Sequence, residues 1–268
     1  MRIQKRDKEL LHFLHRYGLL ETRHIHAKCF RGIAPTTMYR RLRKLEKDEL
    51  ICRSVGLRNG IAAYYLGKAG ATAIGQDVLA RFTNRNAFEH ELAITDFRMA
   101  LESIDMCKEF ISERQVRKNF QWTRSSSHRD QVIPDGILIE EVQGKLSTIA
   151  LEMELNLKCA KRYKGVFEEY RYMRSVDYVW YVVSDLSIKE SITKAWLDVQ
   201  MFDYSPQLII TEQSDIIQKP ANAMIHFVDC SSTKLSDFYG SKSVEAKPLN
   251  ESENLAQCVS TLNDENTA

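Results

Sequence analysis

Six consecutive apolar residues, Tyr178–Val183 (YVWYVV), leave no polar face at either strand parity. A strand with one wet side alternates, so this run reads as a fully buried strand. A chain containing it must build a sheet with other elements packed on both faces. Helical periodicity flanks it closely, over 158–173 before and 188–199 after.

Upstream, Ser147–Leu155 alternates strictly, with Leu151, Met153 and Leu155 on one side and Glu152 and Glu154 on the other. Ile133–Glu140 reads as a strand opened by Ile133-Pro134-Asp135-Gly136, after a polar loop at Thr123–Arg129. Glu109–Val116 reads as another strand. Before it, Phe88–Ile104 is a long amphipathic helix that buries Leu92, Phe97, Ala100, Leu101 and Ile104, with Glu89, His90, Glu91 and Asp96 polar near its start. Short strands near Leu208–Ile210 and Met224–Val228 follow. Asp135, Glu152 and Glu154 thus converge from two strands, an arrangement that is costly unless a positive group lies between them. A divalent ion, Mg²⁺ or Mn²⁺, suits such oxygen ligands. The competing reading is a solvated edge strand whose two glutamates pair with nearby lysines.

The net charge of +2 conceals an asymmetry. Residues 1–86 carry 18 Lys and Arg against seven Asp and Glu, hence +11, so the rest of the chain carries −9. A basic module joined to an acidic body points to nucleic acid. The module has an order. Residues 5–17 place Leu10, Leu11, Phe13, Leu14 and Tyr17 on one helical side, and Gly18 ends that helix. A short helix follows Thr22. Ala34-Pro35-Thr36-Thr37 starts a third, whose stripe is Met38, Leu42 and Leu45. Strands at Leu50–Val55 and Ala62–Leu66 flank a turn, Arg58-Asn59-Gly60. Three helices and a hairpin make a winged helix-turn-helix. Thr37, Arg40, Arg41, Arg43 and Lys44 on the third helix would meet a major groove of double-stranded DNA, and Arg58 at the wing tip the backbone or minor groove. A solvated basic face, or a protein-binding winged helix, is the alternative.

His24-Ile25-His26 mimics the paired histidines of classical relaxases, but on a helix residues two apart diverge by about 200°, so a metal role is set aside. The six cysteines (Cys29, Cys52, Cys107, Cys159, Cys230, Cys258) form no CxxC pair and read as free thiols. No apolar run reaches the roughly 18 residues of a membrane span, and the basic N-terminus is periodic rather than signal-like, so a cytoplasmic protein is expected. The expected division is a DNA-binding domain at 1–80, a catalytic body at 81–230 and a disordered tail at 231–268.

The order helix, three strands, helix, strand, with Pro134-Asp135 followed by Glu152-Met153-Glu154, resembles the αβββαβ core of PD-(D/E)XK restriction-endonuclease-like enzymes, giving a mixed α/β fold class. Glu154 stands where those enzymes place lysine. With the basic module in front, residues 5–200 resemble the MOB-C class of mobilisation relaxases and the overlapping plasmid replication-relaxation family, whose pattern is Asp then Glu-x-Glu. The resemblance implies metal-dependent nicking of one strand at a plasmid transfer origin, without a tyrosine-linked intermediate. It implies Asp135, Glu152 and Glu154 as metal ligands, Lys158 (or Lys161 or Arg162) in place of the missing lysine, and His90 or Glu91 as a further ligand or proton-transfer group. Accessory relaxosome and coupling proteins, and a homodimer, are further partners to consider. The alternative function is a non-enzymatic DNA-binding regulator of plasmid replication or transcription with a degenerate nuclease-like body; a DNA-bending accessory protein is a third.

Overall fold

The computed structural model describes residues 2–54, 62–77, 85–119, 132–199 and 206–240. The chain divides into two compact units, Met1–Asp96 and Phe97–Ala268.

The first unit begins with helix α1 (Lys5–Tyr17). Leu10, Leu11 and Leu14 are fully buried along it, each contributing about 1.5–3 kcal/mol. Gly18, at φ +81°, stops the helix, and its N–H donates to Leu14 O at 2.9 Å. Strand β1 (Leu20–Glu21) leads into α2 (Thr22–Cys29). Helix α3 (Pro35–Lys47) has Pro35 in its first turn and buries Met38, Leu42 and Leu45. Strands β2 (Ile51–Ser54) and β3 (Ala63–Leu66) pair antiparallel, and β1 joins on the other side of β3. Helix α4 (Lys68–Ala73) follows, then α5 (Arg85–Glu102).

The division falls inside α5 rather than near residue 80. Leu92 packs with Leu19 and Ala63, Phe88 and Tyr65 lie against them, and the Thr95 hydroxyl donates to Leu19 O at 3.0 Å. The first half of α5 therefore completes the core of the first unit. The turn Arg58-Asn59-Gly60 and the loop Thr123–Arg129 lie outside the described residues.

The second unit is a seven-stranded sheet in the order β10-β9-β8-β7-β6-β5-β4. Its elements in chain order are β4 (Glu109–Ser112), α6 (Glu113–Asn119), β5 (Gly136–Val142), β6 (Lys145–Glu154), α7 (Ala160–Tyr170), β7 (Tyr178–Val183), α8 (Leu186–Asp198), β8 (Gln207–Glu212), α9 (Gln213–Gln218), β9 (Met224–Phe227), β10 (Ser232–Lys234) and α10 (Leu235–Tyr239). Strands β6, β7 and β8 run parallel, and every other pairing is antiparallel.

The apolar run is β7, between parallel neighbours. Val179, Tyr181 and Val183 share a buried cluster with Tyr163 and Phe167 of α7 and Ile188, Ile192 and Trp196 of α8. Trp180, of opposite parity, meets Phe97 edge-on at 5.0 Å and donates from Nε1 to the Thr211 hydroxyl at 3.1 Å.

Three expectations are corrected. The strand over Glu109–Val116 stops at Ser112, because Ser112 caps a helix: its N–H and hydroxyl both donate to Gln115 Oε1, at 2.9 and 2.8 Å. The helix expected from Lys158 starts at Ala160, leaving Lys158 in the loop after β6. The tail expected from residue 231 is structured as far as Tyr239, with Leu235, Phe238 and Tyr239 buried and Gln143 N–H donating to Tyr239 O at 3.2 Å. Among the described residues no helix is long and apolar enough to cross a membrane.

Candidate acidic site and basic helix

Asp135 lies just ahead of β5. Its N–H donates to Leu151 O at 2.9 Å and its carbonyl accepts from Glu113 N–H at 3.3 Å, which holds the residue beside β6. Its Oδ2 accepts the Met153 N–H at 2.8 Å. That places the Asp135 carboxylate at the Glu152–Met153 peptide.

Glu152 and Glu154 share strand parity with Ala150, whose side packs against α7. They sit on an interior strand under a helix, which overturns the solvated-edge alternative. Tyr170 donates from its hydroxyl to Glu152 Oε1 at 2.5 Å. Desolvation, then the negative charge of Asp135, pushes the Glu152 carboxyl up to about 8, against the opposing pull of Tyr170 and Lys158. Burial likewise raises Tyr170 and Tyr181 well above the usual phenol range.

Glu154 is only 3% exposed and has a cation. Lys158 Nζ lies 2.7 Å from its Oε2. The Tyr163 hydroxyl accepts the Lys158 N–H at 3.0 Å; burial, with the nearby Glu154 charge, pushes that phenol up to about 12. Lys161 and Arg162 are exposed on the first turn of α7. His90 and Glu91 are half-buried on α5 and belong to the first unit, whereas the three carboxylates belong to the second.

The donor set suits a hard divalent ion in part. Asp135 and Glu152 are half-buried carboxylates, and after desolvation the Asp135 charge is what most raises the Glu152 carboxyl. Glu154 is already engaged by Lys158. Among the described residues, no three His, Cys, Asp or Glu side chains are grouped so as to hold a metal ion.

On α3, Arg40, Arg43 and Lys44 are exposed and Thr37 is half-buried. Arg41 is turned inward instead. Its Nε donates to Asp7 Oδ1 at 2.8 Å, its Nη2 to Asp7 Oδ2, and Nη2 also to Arg2 O at 3.2 Å. Asp7 is 1% exposed, so this ion pair ties α3 to the start of α1. Arg58 lies outside the described residues. Tyr39, 43% exposed on α3, joins this face without having been expected there.

The two histidines of the false motif are structural. His24 Nδ1 accepts the Glu21 N–H at 3.1 Å, so its Nε2 carries the proton toward Asp96 Oδ1 at 2.8 Å. His26 Nε2 donates to Ile33 O at 2.8 Å.

Sequence reasoning missed what the hydroxyls of Tyr163 and Tyr170 do. Tyr163, Phe167 and Tyr170 recur at i, i+4 and i+7, which marks one buried helix side. That spacing was the available signal for aromatic residues aimed at the acidic strand.

A family model described as replication-relaxation matches residues 11–182, from α1 to β7, a span that includes α3 and all three carboxylates. No curated protein and no solved structure matches the chain.

Proposed function

From the premise that the chain belongs to the replication-relaxation family, which suggests a role in plasmid replication or mobilisation, we propose that it is a metal-dependent, site-specific DNA-nicking relaxase of the MOB-C type. The observation that carries the reading is the half-buried pair Asp135 and Glu152: Glu152 accepts a phenol hydrogen bond, and desolvation together with the Asp135 charge pushes its carboxyl upward. Such a pair is stabilised by a cation.

The order of β4 to β7 supports a restriction-endonuclease-like core: an antiparallel β4–β5–β6 meander, then α7, then β7 parallel to β6. The three helices and antiparallel strands of the first unit support a winged helix-turn-helix. Arg40, Arg43 and Lys44 would neutralise phosphates or read base edges from α3.

Asp135 and Glu152 would hold Mg²⁺ or Mn²⁺. The chemistry such an ion supplies when bound is polarisation of a phosphoryl oxygen and a more acidic water. The chain's own part is to orient and to exclude water. Tyr170 fixes the Glu152 carboxylate, the Met153 N–H fixes that of Asp135, and Lys158 brings a cation to the same strand end.

A second reading, a DNA-binding regulator with a degenerate site, is favoured by one observation: Glu154 is neutralised by Lys158 rather than left open. The test uses supercoiled plasmid carrying the DNA that flanks the chain's own coding sequence. Nicking with Mg²⁺ or Mn²⁺, its loss in EDTA, and its loss in Glu152→Ala with DNA binding retained are the expected results. Tight binding of that DNA without a nick under either metal would establish the regulator instead.

A further inference from the structure

The two glutamates of β6 share a strand face but not their surroundings. We infer that Glu154 is not a metal ligand but a positioning residue: with Tyr163 it fixes Lys158 as the cation that meets a DNA phosphate. The inference rests on the nuclease reading of the same site and divides its labour.

The geometry of α7 separates the two carboxylates. Glu152 and Glu154 are two residues apart on a strand, about 7 Å. Tyr170, which bonds Glu152, and Tyr163, which bonds Lys158, are seven residues apart on a helix, about 10 Å. Tyr170 donates to Glu152, whereas Glu154 is paired with Lys158, the residue whose N–H the Tyr163 hydroxyl accepts, so the two glutamates are held at opposite ends of α7. Asp135 stays with the first of them, its Oδ2 accepting the N–H of the Glu152–Met153 peptide at 2.8 Å.

Lys158 is held at two atoms. Its N–H donates to the Tyr163 hydroxyl at 3.0 Å, and its Nζ lies 2.7 Å from Glu154 Oε2. The Glu154 side chain is 4% exposed and that of Lys158 is 34% exposed. The carboxylate is therefore the buried anchor and the ammonium the reachable end. A buried carboxylate with a cation already on it would have to abandon that cation to ligate a metal, leaving Lys158 without it. Glu154 thus stands where a lysine was expected because it holds the lysine that follows four residues later.

The test is made on the full chain. Mn²⁺ binding is measured calorimetrically for wild type, Glu152→Gln, and the charge-neutral double variant Glu154→Gln/Lys158→Met. The double variant is expected to keep its Mn²⁺ affinity within about twofold, and Glu152→Gln to lose binding. If the double variant loses Mn²⁺ as fully as Glu152→Gln, Glu154 is a ligand and the inference is overturned.

A second arm, in EDTA, uses a short fluorescein-labelled DNA duplex. Lys158→Met is expected to lower the salt slope of log Kd by about one. Glu154→Gln should alter Kd in the wild-type background and leave it unchanged in the Lys158→Met background. An unaltered slope, or an effect of Glu154→Gln that persists without Lys158, overturns the assignment. Tyr163→Phe, which keeps the buried ring, guards against misfolding of the other variants: it should spare Mn²⁺ affinity and weaken duplex binding. If wild type binds no Mn²⁺, the metal reading fails, and the duplex arm alone decides the role of Glu154.

Discussion

Replacing Glu152 by glutamine should make the second unit more stable at high pH and change how its stability responds to pH. In the folded protein the Glu152 proton is held up to about 8, against an ordinary value of 4.5, by desolvation and by Asp135. The folded state therefore binds that proton more tightly than the unfolded chain does. Its contribution to stability is fully present below 4.5 and is lost progressively as pH rises through about 8. At about 1.4 kcal/mol per tenfold in proton affinity, the gap sets an upper limit of about 5 kcal/mol. The glutamine side chain keeps the shape and the acceptor for the Tyr170 hydroxyl without the titration. Trp180 and Trp196 are buried in the second unit, so tryptophan fluorescence in urea follows its unfolding. In EDTA, wild type should lose several kcal/mol relative to Glu152→Gln between about pH 5 and about pH 9. Parallel pH profiles for the two proteins would refute the claim that Glu152 is a half-buried, desolvated acid facing another negative charge.

Arg41→Ala should destabilise the first unit by about 3–5 kcal/mol in thermal unfolding, because Asp7 is left buried without its guanidinium; a shift no larger than that of the exposed Arg43→Ala control would refute the pairing. Gly136→Ala should cost about 1–3 kcal/mol in the same assay, since a Cβ there would meet the Phe110 ring at 2.2 Å; unchanged stability would mean that the ring yields freely.

Local pattern carried a good part of this structure. The α1 and α3 stripes, the Gly18 stop and the buried run of β7 depend on neighbours in sequence, and each appears where periodicity puts it. Parity alone put Glu152 and Glu154 on one side. What parity could not say is which side is wet, because both faces of β6 are covered, and that decided between an exposed ladder and a buried cluster. Arg41 was misjudged because its partner lies 34 residues away, on another helix. Ser112-Glu113-Arg114-Gln115 cut a strand short because a capping side chain outcompeted the sheet ladder beyond Ser112. The Gln143-Gly144 turn, with φ of +49° and +80°, carries the tight hairpin between β5 and β6 without the Asn-Gly signature that would have announced it.

The short segment from Ser232 to Tyr239 has a consequence for how the protein is made. Phe238 meets Tyr178 at 5.2 Å, and Tyr239 accepts a backbone hydrogen bond from Gln143, so the end of this segment is stitched to a strand and a hairpin tip laid down many residues earlier. During synthesis those contacts cannot close until residue 239 has left the ribosome. Until then β9 is an open edge beside an uncovered apolar surface, the kind of intermediate that chaperones hold and that pairs with its own copies when they do not. A chain cut at residue 230 would remain permanently in that state.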